Sequence, residues 1–98
     1  MHHLLVIGAG QGGTEVLHAF QRSPLLTVIG LVDPNMDAPG VALARRAEIR
    51  IETNWSAFEG TDVDFIIDAT GENGVLEQLI HDFPGAAVLP GEFVRVLL

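Results

Sequence analysis

"VIGAGQGGTEVL", residues 6–17, runs from a short apolar stretch through glycines at 8, 10, 12 and 13 into a segment with helical spacing. Gly8, Gly10 and Gly13 fit the pattern G-x-G-x-x-G, with Gln11 and Gly12 completing the loop. Alone the pattern is weak, because glycine-rich turns are common. Its surroundings strengthen it: a strand-like run comes before, a helix opens at the third glycine, and Asp33 ends the next apolar run twenty residues after Gly13.

Each glycine has a separate physical task in such a loop. Gly8 allows the strand to turn sharply, Gly10 removes a Cβ that would strike a pyrophosphate, and Gly13 allows the helix to pack close to the strand. Phosphates would then meet free N–H groups at the positive end of the helix dipole. The alternative is a tight strand-to-helix turn that holds no ligand. Asp33 carries the next step, since a carboxylate at that strand end can accept hydrogen bonds from both hydroxyls of an adenosine ribose and would repel a 2′-phosphate. Pro34 and the rest of "PNMD" (34–37) supply no cation to hold such a phosphate. The expected cofactor is therefore NAD rather than NADP.

Outward from the loop, strand and helix patterns alternate. "HLLVIG" (3–8) and "LTVIGLVD" (26–33) are buried-strand runs, and residues 13–22 place Gly13, Val16, Leu17 and Phe20 on one helical face. Ser23 and Pro24 stop that helix. Asp37 is positioned to cap a helix in which Val41, Ala44 and Ala47 face inward and Arg45 and Arg46 outward. "IRIE" (49–52) reads as a third strand, and Asn54 as the cap of one turn holding Trp55 and Phe58. "VDFIIDATG" (63–71) reads as the fourth strand, and Val75, Leu76, Leu79, Ile80 and Phe83 as a helical stripe. "AAVLPG" (86–91) reads as the fifth strand, and "EFVRVLL" (92–98) opens a further element. The expected fold is α/β: one doubly wound parallel sheet of about five strands in a single domain spanning 1–98. Its switch point lies between strands one and four, so Ala69, Thr70 and Gly71 should border the cofactor. Glu72 and Asn73 either reach the ligand or cap the next helix.

Composition narrows the function. Thirteen acidic side chains against five basic ones give a formal charge of −8 and a pI near 4.6, which disfavours nucleic acid and anionic membrane surfaces. There is no cysteine, hence no disulfide, thiolate metal site or cysteine nucleophile. "LLVIGAG" (4–10) is too short for a spanning helix or a secretory signal, so a cytoplasmic location is expected. His2 and His3 at a fraying terminus make a poor metal site, and no metal is expected. With 48% hydrophobic residues and a mean hydropathy of +0.35, the chain has more apolar surface than a small solitary domain hides. A homodimer through residues 88–98, or docking to further domains, would cover it.

"VIGAGQGG" (6–13), "VIGLVDPN" (28–35), "ALARRAEI" (42–49), "TNW" (53–55) and "VDFIIDATG" (63–71) together resemble the cofactor domain of the glucose-fructose oxidoreductase and inositol dehydrogenase superfamily. They also look like the Rossmann modules placed ahead of PAS and histidine-kinase domains in some bacteria. The resemblance covers nearly the whole chain and implies nucleotide binding without implying a reaction. Those oxidoreductases follow strand five with a Glu-Lys-Pro motif whose lysine takes part in catalysis, where this chain has "LPGEF" (89–93), and they carry a large substrate domain. Their catalytic residues therefore do not transfer. His18 lies about 7 to 8 Å along the helix beyond Gly13 and His81 at the far end of its own helix, and both read as surface residues. Glu72 and Glu92 lie nearer the strand ends but form no evident acid–base pair. Trp55 reads as packing at the sheet edge rather than bordering an adenine. The preferred reading is an NAD(H)-binding module, cofactor-holding or redox-sensing, without catalysis of its own, and part of a larger signalling or regulatory protein. The alternatives are the nucleotide-binding half of an NAD-dependent oxidoreductase and a Rossmann-like assembly element that has lost its ligand.

Overall fold

The continuous apolar run Leu4–Ile7 sets the architecture: none of its four side chains is more than 2% exposed, so both faces of the strand that carries them are covered. The computed structural model describes residues 1–97. In chain order the elements are β1 (His2–Ile7), α1 (Gln11–Phe20), β2 (Leu26–Val32), α2 (Pro39–Arg46), β3 (Ile51–Glu52), a 3-10 turn (Trp55–Phe58), β4 (Phe65–Asp68), α3 (Val75–Asp82), β5 (Ala87–Pro90) and α4 (Gly91–Leu97). The strands form one sheet in the order β3-β2-β1-β4-β5, every pairing parallel. The order reverses between β1 and β4, as the alternation predicts.

Leu4 and Val6 point into one layer with Val16 and Leu17 of α1, Val41 and Ala44 of α2, and Val94 of α4. Leu5 and Ile7 point into the other, with Phe58 of the 3-10 turn and Leu79 of α3. Three helices therefore cover one face, while α3 and the 3-10 turn cover the other. Arg45 and Arg46 face solvent, as expected from the stripe on α2.

Several boundaries differ from the sequence reading. α1 opens at Gln11, two residues earlier than the apolar stripe suggested, because the glycines themselves form its first turn. Asp37 does not cap α2. The cap position is Ala38 with no side-chain bond, and the Asp37 N–H instead donates to Asn35 Oδ1 at 3.0 Å. Pro39 starts the helix, its missing N–H costing nothing there. β3 is two residues rather than four, since Glu48 sits in the left-handed region at φ 58° and delays the strand. Asn54 does cap the 3-10 turn, its Oδ1 accepting the Ser56 N–H at 2.9 Å. The segment after β5 is a helix with Val94 turned inward and Phe93, Val96 and Leu97 exposed; Leu98 lies outside the described residues. Among the described residues no helix is long and apolar enough to cross a membrane.

Candidate functional site

The carboxyl ends of β1, β2, β4 and β5 converge around the glycine loop. Gly8 leaves β1 with φ +98°, a conformation that penalises any side chain. Gly13 lies so close to the turn that a Cβ there would stand 1.8 Å from the Gly8 carbonyl oxygen. α1 thus packs onto β1 at a distance that only glycine permits. Around Gly10, by contrast, a Cβ would meet nothing within 4 Å among the described residues. That bare flank faces open space rather than protein.

Gly10 is the N-cap of α1, in extended conformation and with no side-chain cap bond, and Gln11 follows it exposed. The first N–H groups of a helix have no partner within it, so the start of α1 presents donors and the positive end of its dipole to this opening. The Gly40 N–H of α2 donates to the Ala9 carbonyl at 2.6 Å, fixing the loop from the other side. Sequence reading missed that contact.

Asp33 stands at the end of β2, where the pattern placed it, and holds the loop directly. Its Oδ2 accepts the Ala9 N–H at 2.8 Å and its Oδ1 accepts the Asn35 N–H at 2.8 Å. Pro34 is exposed in the turn that follows. Each carboxylate oxygen keeps a second lone pair free for an incoming hydroxyl.

On the opposite side of the loop lies a cavity of about 460 Å³, bordered by α1, the β4–α3 loop and the start of α4. Of the residues singled out from sequence, Gly12, Ala69, Thr70 and Gly71 line it, and so do Glu72 and Asn73. Gly8 and Gly13 are buried in the turn, while Asp33 and Pro34 lie across the loop on the β2 side. The sequence-predicted set is thus divided into two groups on either side of the start of α1. Glu72 and Asn73 do not cap α3, whose cap position is Gly74 with no side-chain bond.

Asp68 was not singled out, although it ends the apolar run of β4. It is 8% exposed, and its Oδ1 accepts both the Thr70 N–H at 3.0 Å and the Thr70 hydroxyl at 2.6 Å. Thr70 Oγ1 in turn accepts the Glu72 N–H at 3.1 Å. This chain of bonds stiffens the floor of the cavity. An aspartate closing a strand two residues before threonine was the available signal. Arg95 of α4 also lines the cavity and pairs with Glu15 of α1 at 3.3 Å.

The remaining polar residues lie elsewhere. His18 and His81 are exposed, the latter 3.1 Å from Asp82. Trp55 packs beside α3, its indole N–H donating to Asp82 Oδ2 at 2.8 Å. His2 and His3 belong to β1 instead of fraying. At the end of the sheet remote from the glycine loop, His3 Nδ1 lies 2.8 Å from the Asp62 carbonyl, and the His3, Asp62 and Asp64 side chains come within 4.8 Å of one another.

No family model matches the chain, and no curated protein does. Solved structures do. An NAD-binding protein from Listeria innocua superposes with a TM-score of 0.71 at 22% identity, covering 91% of this chain and 26% of that one. A myo-inositol dehydrogenase from Corynebacterium glutamicum gives 0.77 at 17% identity, covering 92% and 27%. A 3-ketoreductase from Actinomadura kijaniata, solved with TDP-benzene and NADP, gives 0.72 at 21% identity, covering 91% and 29%. The chain spans little more than a quarter of the length of these proteins. Such likeness establishes architecture: the chain has the doubly wound fold of Rossmann-type proteins.

Proposed function

We propose that this chain is an NAD(H)-binding module, cofactor-holding or redox-sensing, with no chemistry of its own. One observation carries the reading: the start of α1, uncapped and bare at Gly10, lies between a strand-end carboxylate and a cavity large enough for half a dinucleotide. Pyrophosphate would rest on the N–H groups of Gln11 and Gly12, the adenosine ribose on Asp33 beside Pro34, and the second ribose and its ring over Ala69, Thr70 and Gly71. The solved relatives of like fold include an NAD-binding protein and an NADP complex, which supports a dinucleotide without choosing between the two. The choice of NAD rests on Asp33 and on the absence of lysine or arginine from residues 34–37. Titration calorimetry tests it: NAD should bind at least tenfold more tightly than NADP, Asp33→Ala should narrow the gap, and Gly10→Val should abolish both while the fold persists. Equal affinities, or NADP preferred, would overturn the assignment.

A second reading is the nucleotide-binding half of an NAD-dependent oxidoreductase, favoured by the dehydrogenase and ketoreductase among the structures of like fold. Glu92-dependent turnover of a polyol, sugar or amino acid would decide for it. The larger context we propose is regulatory, in a cytoplasmic protein. The exposed apolar face of α4 suits a homodimer contact through residues 88–98, with docking to a further domain as the competing occupant.

A further inference from the structure

The cavity beside the glycine loop is acidic to a degree that a dinucleotide's own charge does not call for. Among the described residues lining it are five carboxylates, those of Glu15, Asp68, Glu72, Glu77 and Glu92, against the single guanidinium of Arg95. Arg95 is already paired with Glu15 at 3.3 Å, and Asp68 is occupied by Thr70. Glu72, Glu77 and Glu92 are all exposed at the residue level, so their charges face the opening through solvent and are not consumed by buried partners.

Their position relative to a bound dinucleotide follows from the fold. Asp33 fixes the adenosine end over β2 and the start of α1 fixes the phosphates, so the remaining half must extend over the ends of β4 and β5. Thr70, Glu72 and Glu92 stand there. The part of the ligand that enters this region is the nicotinamide ring, the one group whose charge differs between the two redox forms: cationic when oxidised, neutral when reduced.

Resting on the nucleotide reading above, we infer that the site discriminates by redox state, binding NAD+ more tightly than NADH through the carboxylates of Glu72, Glu77 and Glu92. The phosphates are the same in both forms, so their repulsion from these acids cancels in the ratio of the two affinities. The ring charge does not cancel. A solvent-exposed carboxylate within several ångströms of a unit charge changes an equilibrium about two- to threefold, and three acting together give a preference on the order of tenfold at low salt. The consequence is a module whose occupancy follows the oxidised fraction of the pool rather than its total.

The test is calorimetric titration of the unmodified chain with NAD+ and with NADH at low ionic strength. NAD+ should bind about tenfold more tightly, and the ratio should fall about fivefold in Glu72→Gln/Glu92→Gln. It should stay unchanged in Glu48→Gln/Glu59→Gln, which removes the same net charge at exposed residues that do not line the cavity. It should also shrink in molar salt, where screening acts within about 3 Å. Equal affinities, tighter NADH, or a ratio indifferent to Glu72 and Glu92 overturns the inference while leaving the nucleotide reading intact. Failure of either form to bind overturns that reading and this one together.

Discussion

Gly10 and Gly13 have different tasks in the motif, and the structure shows how far their surroundings differ. A Cβ on Gly13 would lie 1.8 Å from the Gly8 oxygen and 2.7 Å from its carbon, both backbone atoms that cannot turn aside. Gly13→Ala should therefore cost about 3 kcal/mol, at the upper end of overpacking penalties and a large share of a small domain's stability. Gly10→Ala meets open space, and an alanine in place of glycine at a helix cap costs about 0.5 kcal/mol or less. Urea denaturation of the two variants measures the contrast. Similar midpoints would mean that the loop tolerates a side chain at Gly13 and that the close approach of α1 to β1 is not held by this residue. The three motif glycines were legible as a set because their spacing is covalent. The packing task of Gly13 was legible too, from its place where the helix opens; only the closeness of the approach, set by how α1 stands against Gly8, had to come from the structure.

Between elements, the contact of most consequence outside the loop joins the 3-10 turn to α3. The Trp55 indole N–H donates to Asp82, and with bonds from His81 and Gln78 it holds the Asp82 carboxyl below its ordinary value. A carboxylate whose pKa is lowered by folding stabilises the native state above its unfolded pKa, near 3.9, and loses that contribution as pH falls through the folded value. Thermal stability should accordingly drop on acidification below about pH 4 more steeply than in Asp82→Asn, which lacks the titration. Trp55, the sole tryptophan, reports the same event through its fluorescence. Identical acid profiles for the two proteins would remove Asp82 from the account. Strand and helix order were readable from apolar periodicity, which is local. The Trp55–Asp82 bond and the stacking of Arg50 over Phe58 at 4.4 Å were not. The first spans 27 residues, and both depend on side-chain direction. Asp37 fails as a cap because α2 opens one residue later than the pattern suggested, with Ala38 at the cap position and Pro39 as the first helical residue.

At the scale of the whole molecule, one edge of the sheet is β5, which among the described residues pairs with β4 alone, and α4 runs on from that edge. Val94 is 4% exposed and packs into the layer shared with α1 and α2, so the helix is anchored. Its outer side is another matter: Phe93, Val96 and Leu97 are 47%, 83% and 68% exposed, at the i, i+3, i+4 spacing of one helical face. Covering about 300 Å² of such surface is worth on the order of 7 kcal/mol before the cost of association. A second copy related by a two-fold axis can set this face against its own counterpart and leave the glycine loop, at the carboxyl ends of the strands, open to ligand. Light scattering at tens of micromolar should then report about twice the chain mass of 10.5 kDa. Val96→Asp/Leu97→Asp should give a monomer with an unchanged circular dichroism spectrum, because neither side chain contributes to the core. A monodisperse monomer of the unmodified chain would refute the dimer and assign the α4 face to another domain. A dimer that survives both aspartates would move the contact to the β5 edge itself, where backbone pairing rather than apolar burial would hold the two copies together.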